Sequence, residues 1–252
     1  MFNLIKPGHV LRFGTCPSTI NSPPAGNATT NNNTLETLWP NVNNLGNVQC
    51  LSHASGDLGK VAADVAIKLR GESKFSRTVS YSKLGRTFTP SNRPVGNENC
   101  RFVGYTDGKS FYIQSNDTVF SKDFSGCLFV AYSVGGNRRV AHVAASSVAT
   151  MDCKQAFLNT IHGIAGAQLI GWFRPYVANR DDAGKISAYH QVKEHIPAQD
   201  INKLTTFGVM TQAGVGYSID AFKPRGIVGS DWVVTAITQR TMSRAWFVHG
   251  LA

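Results

Sequence analysis

The chain contains no apolar run near the roughly 20 residues that a membrane-spanning helix needs. Its first residues, Met1 to Gly14, lack the apolar stretch after a basic residue that marks a secretory leader, so no standard signal peptide is expected. No segment repeats at a fixed period, which argues against solenoids and propellers. Acidic side chains are scarce: 15 Asp and Glu face 25 Lys and Arg, a net charge of +10. Such a surface suits acidic partners, nucleic acid among them. The basic residues are scattered, however, and the longest cluster is Arg138-Arg139. A nucleic-acid groove usually gathers them into a stripe, so nucleic acid is not the favoured partner.

Cysteine is limited to Cys16, Cys50, Cys100, Cys127 and Cys153. The number is odd and no Cys-x-x-Cys occurs, which argues against a zinc ribbon or a thioredoxin-type motif. A reducing compartment and at least one free thiol are expected. His162, His190, His195 and His249 lie at unequal gaps, and His190 and His195 are five apart rather than four. Structural or surface roles follow for these histidines, and no metal or cofactor is expected. Gly214-Val215-Gly216 lacks the third glycine of a dinucleotide loop.

What is present is 42% hydrophobic residues in short runs, punctuated by 24 glycines. That pattern predicts many strands joined by turns. The expected class is α+β, a mainly antiparallel β core with a few covering helices. Residues 15 to 45 are rich in Pro, Asn, Thr and Ser, so 1–44 is expected to be a loop-rich, partly flexible segment before one compact domain over 45–252. Leu58, Val61, Ala62, Val65 and Leu69, with Gly71 after them, predict a helix over 57–70. A second helix is expected over 150–162. Asp107-Gly108 predicts a hairpin joining 101–106 to 109–114, and a further hairpin is expected over 127–145. Strand-like runs cover 168–173, 186–192, 206–210, 217–221, 232–238 and 245–249.

The chemistry-bearing residues lie in that second hairpin. Ser125-Gly126-Cys127 heads the apolar run Leu128 to Tyr132, and His142 follows Cys127 by fifteen positions. A turn at Gly136-Asn137 would set His142 against Ala131. A turn centred on Val134-Gly135 would set His142 directly opposite Cys127, with both side chains on one face. A thiol with a pKa near ~8.5 needs a base to become a nucleophile at neutral pH. Its attack on an amide carbon creates an oxyanion, for which the backbone around Ser125 and Gly126 is suited. A third group should orient the imidazole. Candidates are Ser121, Thr118, Asp123 or a backbone carbonyl. Gln114, Asn116 and Asp117 are placed at the mouth of the site by proximity alone. The plain alternative is a small buried thiol and a core histidine.

These residues resemble the catalytic core of the cytotoxic necrotizing factor glutamine deamidases. They are also similar to the Burkholderia lethal factor and, more remotely, to the chemotaxis receptor deamidases. The family's Leu-Ser-Gly-Cys motif stands here as Phe124-Ser125-Gly126-Cys127, with His142 on the following strand. The lethal factor and chemotaxis enzymes carry a Thr six residues before the Cys, which is Ser121 here. In the necrotizing factors an upstream backbone carbonyl takes that role, corresponding to the region of Pro94-Val95. The resemblance covers Ser121 to Ala145. It implies a β-sandwich core with surrounding helices, a catalytic domain over 45–252, and conversion of a target Gln to Glu. It implies catalytic Cys127, His142 and Ser121, with oxyanion contacts at Ser125 and Gly126. It also implies a secreted or injected bacterial effector acting in a host or target cytosol on a protein such as a Rho-type GTPase or a translation helicase. Two competing readings are a basic nucleic-acid-binding module and an NlpC/P60-like cysteine peptidase. In the latter motif the nucleophile would fall at Phe124.

Overall fold

The computed structural model describes residues 1–15, 48–50, 62–80, 83–105, 110–145, 153–176, 182–227 and 231–247. Its strands are β1 (His9–Thr15), β2 (Val48–Cys50), β3 (Ala62–Glu72), β4 (Lys74–Ser80), β5 (Lys83–Thr89), β6 (Pro94–Val103) and β7 (Phe111–Gln114). They continue with β8 (Thr118–Ser121), β9 (Leu128–Val134), β10 (Asn137–Val143), β11 (Gln168–Phe173), β12 (Ile201–Met210), β13 (Gly216–Pro224) and β14 (Asp231–Arg240). Helix α1 spans Cys153–His162 and helix α2 spans Asp182–Val192.

Seven strands close a barrel in the order β1-β14-β13-β12-β8-β6-β3, and five more form a sheet in the order β11-β9-β10-β7-β2. The chain is therefore β-rich with few helices, and a closed barrel stands where a sandwich was implied. Period-two alternation explains the barrel. Along β3, Ile67 and Leu69 are buried while Lys68 is exposed and Arg70 half-buried. The inward positions bring Phe13, Phe102, Phe120 and Phe207 together, with Phe120 within 5.0–5.6 Å of each of the other three rings. Trp232 meets Phe207 edge-on.

The five-stranded sheet is covered on both faces, so β9 reads as an unbroken apolar run rather than an alternating one. One face packs on the barrel through Phe111, Ile113, Phe129 and Val140 against Val119 and Met210. The other carries Leu128, Val130 and Tyr132 under Phe157, Leu158 and Ile161 of α1. On the barrel's outer wall, Tyr189 of α2 and Phe88 of β5 pack with Val10, Phe222 and Val233.

Several expectations are corrected. Residues 62–70 of the expected helix form β3, because the Val65, Ile67, Leu69 alternation can pair with both β1 and β6. Residues 57–61 lie outside the described residues. The Asp107-Gly108 hairpin does not form: β6 pairs with β3 and β8 in the barrel, whereas β7 pairs with β10 and β2. Two cores claim the two strands, and that burial outweighs the local turn preference. Residues 106–109 themselves are outside the described set. The run 186–192 is helical, with Lys185 and Tyr189 buried one turn apart. Residues 245–247 form no strand, although Phe247 is buried against α1. Within 1–44, residues 1–15 are not a loop-rich lead-in: β1 closes the barrel and Phe2 and Ile5 join its core. Residues 16–47 lie outside the described residues. The expectation for α1 holds over its described part, 153–162. No described helix is long and apolar enough to cross a membrane.

Arg138 ties the sheet to the barrel. Its guanidinium donates to the carbonyls of Ser115 (2.9 Å), Asp117 (2.7 Å) and Thr211 (3.0 Å). Arg138→Met keeps the stem but leaves these acceptors without a donor. The expected loss is about 2–3 kcal/mol, read as a lowered urea midpoint with an unchanged m-value.

Candidate active site

β9 and β10 form the expected hairpin, but in neither of the two registers considered. Asn137 pairs with Val134, so the turn is Gly135-Gly136. Both glycines lie in the left-handed region, with φ of 56° and 79°, as a type I′ turn requires. His142 therefore faces Phe129, and the ladder ends at Val143–Leu128, one residue short of Cys127. Cys127, Phe129 and His142 share the face that packs on the barrel. Cys127 stands just before β9, two residues from Phe129, the partner of His142. The Gly-Gly pair was the sequence signal for this register.

Of the side chains considered for the third group, Ser121 is the one in contact with His142. Ser121, at the end of β8, places its Oγ 2.8 Å from His142 Nδ1. Its hydroxyl donates to the Val103 carbonyl at 2.5 Å. Parallel pairing sets β6 beside β8 with Phe102 level with Phe120, so Val103 falls next to Ser121. A hydroxyl has one proton and a carbonyl can only accept. The proton of Ser121 is committed to Val103, so His142 Nδ1–H is the donor to Ser121. His142 Nε2 is then the unprotonated nitrogen, and it is buried with no hydrogen-bond partner among the described residues. Thr118 instead bonds Glu98, and Asp123 bonds Thr205. The upstream carbonyl is that of Val103 rather than one near Pro94-Val95.

Burial sets the electrostatics. Cys127 is 0% exposed and His142 1%. Phe124 stacks on the imidazole with centroids 4.1 Å apart and planes 5° from parallel, and the Tyr105 ring lies 5.0 Å away. Desolvation in this aromatic enclosure lowers the His142 pKa to about 3. Desolvation also raises that of Cys127, while backbone N–H groups of Ala145, at 3.2 Å from Sγ, and of Ser125 act in the opposite direction. Thiol and imidazole are thus both neutral at rest.

The loop from Lys122 to Gly126 connects the two halves of the site. Ser125 is exposed, and Gly126 has φ 145°, where an added Cβ would meet Ala145 Cβ at 3.3 Å. Gln114, Asn116 and Asp117 are not at the mouth. They line a cavity of about 290 Å³ with Arg101, Asn137 and Arg138, at the turn end of the hairpin. Among the described residues no group of three or more metal-ligating side chains occurs. His190 Nε2 accepts the Ile196 amide at 2.9 Å. Cys100, Cys127 and Cys153 are buried. Val103, Tyr105 and the stacking role of Phe124 were not foreseen. Only Phe124, by its place beside the Ser-Gly-Cys run, carried any signal.

The described residues form a barrel-and-sheet protein with a buried Cys127 thiol and a buried histidine bonded to Ser121. No protein-family model matches the chain, and no curated protein does. Among solved structures it is similar to the C-terminal domain of CNFy from Yersinia pseudotuberculosis, at 11% identity and a TM-score of 0.25 over 72% of this chain and 73% of that one. The likeness is weak, and functional reasoning rests on the site itself.

The His142 shift has a consequence for stability. In the unfolded chain the imidazole binds its proton near 6.5, and in the folded chain only near 3. Between those values the unfolded state holds more protons, so stability falls as pH drops through the window. The slope contributed approaches about 1.4 kcal/mol per pH unit. Urea unfolding between pH 4 and 7 should show this slope, and His142→Gln should remove that share of it.

Proposed function

We propose that this chain is a cysteine-dependent protein-glutamine deamidase of the toxin-effector type. The observation that carries the reading is the hydrogen-bond chain Val103 C=O, Ser121 Oγ–H, His142 Nδ1–H. It leaves Nε2 as a free base on the face that also holds Cys127. The resemblance of Phe124-Ser125-Gly126-Cys127 and His142 to the necrotizing factor core supports the same assignment.

In this reading His142 Nε2 takes the thiol proton as the sulfur attacks the side-chain amide carbon of glutamine. Thiolate and imidazolium stabilise one another, which offsets the burial that keeps each neutral at rest. Backbone N–H groups near Ser125 and Gly126 meet the oxyanion. Ser121 and the Val103 carbonyl hold the ring and stabilise its charged form. The imidazolium protonates the leaving nitrogen, ammonia departs, and a thioester remains. Water then hydrolyses the thioester, with His142 again taking a proton, and glutamate and the free thiol result. The catalytic unit is the β-rich body, the substrate is a protein in a host or target cytosol, and no cofactor enters.

Cys127→Ala should abolish ammonia release and the amide-to-acid mass change in target proteins while the unfolding transition persists. His142→Ala should slow turnover by roughly 10²–10⁴-fold. Ser121→Ala should lie between wild type and His142→Ala, because the ring loses its orienting partner but keeps its base. Full ammonia release by Cys127→Ala would refute the reading.

A further inference from the structure

We infer that Thr205 of β12 is a positioning residue for this site: by clamping Asp123 it fixes the loop 122–126, so that Phe124 covers the His142 ring and closes access to Cys127. The inference rests on the proposed role of that thiol.

Asp123 is the one non-glycine with positive φ, 63°, among the described residues. Asp tolerates this region better than most residues, yet such a conformation persists only when its surroundings hold it. Thr205 does so from both sides. Its Oγ1 accepts the Asp123 amide at 3.3 Å and donates to Asp123 Oδ1 at 3.1 Å. The carboxylate also lies 3.8 Å from the ammonium of Lys122 and 3.8 Å from that of Lys203. Thr205 is itself buried, so water does not compete freely for its hydroxyl.

The same strand handles the next residue of the loop. At Gly208 an added Cβ would stand 2.8 Å from the Phe124 ring and 2.8 Å from Pro175. Strand β12 therefore offers a hydroxyl for Asp123 and a missing side chain for Phe124. Together these seat the Phe124 ring flat on the imidazole. The loop then leads through Ser125, whose amide contacts the Cys127 sulfur. That sulfur is wholly covered, with Ala145 and residues 153–154 near it as well as the loop, and in this inference the loop is the part of that cover that lifts to admit a substrate amide. The Asp123–Thr205 clamp opposes that movement.

The test follows iodoacetamide alkylation of Cys127 in the full chain at neutral pH by peptide mass spectrometry. Thr205→Val keeps the shape and removes the hydroxyl. With two hydrogen bonds lost, Cys127 should react at least about ten-fold faster than in wild type. Thr205→Ser restores the hydroxyl and should react at the wild-type rate. Asp123→Gly suits the backbone angle, keeps the amide bond to Thr205 but lacks the carboxylate, and should react faster than wild type and no faster than Thr205→Val, which guards against a valine variant that fails to fold. Alkylation at the wild-type rate in folded Thr205→Val or Asp123→Gly overturns the inference, as does a serine variant that behaves like the valine one. The readout is the thiol rather than turnover, so it decides the loop's role even if the chain deamidates nothing.

Discussion

One proton organises the site. The Ser121 hydroxyl has a single hydrogen, and the Val103 carbonyl takes it. That commitment sets which nitrogen of His142 is a donor and which is a base. The two parts come from different structures within the molecule. Ser121 and Val103 end neighbouring barrel strands, while His142 belongs to the five-stranded sheet and Cys127 directly precedes its strand β9. The relay therefore exists only at the seam where sheet packs on barrel. Phe111, Ile113, Phe129 and Val140 on one side and Val119 and Met210 on the other hold that seam shut.

The seam is apolar, and this shapes the chemistry. A histidine walled by Phe124 and Tyr105 resists charge, and a thiol with no exposed surface resists ionisation. Each group alone would be inert. Arg138 secures the far end of the hairpin by bonding carbonyls of the loop before β8 and of the turn after β12. The hairpin is thus held to the barrel at its turn by a cation and at its open end by the Ser121–His142 hydrogen bond.

Sequence patterns were read correctly where one local rule had no competitor. The β9–β10 hairpin is the clearest case. Its apolar run and glycine-bearing turn announce the hairpin, although the register set by Gly135-Gly136 is neither of the two expected from the sequence. Patterns were misread where two periodicities fitted one segment. Residues 61 to 69 satisfy a helical stripe and also a two-residue alternation. The barrel, which offers backbone partners on both sides, selected the strand. Asp107-Gly108 is a strong turn signal, yet its flanking strands belong to different sheets. Helix α2 was read as a strand because its buried positions, Lys185 and Tyr189, include a lysine stem that no hydrophobic pattern counts.

The candidate site residues follow from types and spacing alone. Ser121, Ser125, Gly126, Cys127 and His142 all sit within 22 positions of one another. Short-range order fixes such a set because a thiol, an imidazole and a hairpin need only neighbours in the chain. Val103, Thr205 and Gly208 were beyond its reach, since they meet the loop through pairings that close a barrel across long chain separations. Whether His142 is charged, and which of its nitrogens is the base, followed from that closure. Burial and a carbonyl's hydrogen-bonding capacity are properties of the assembled seam.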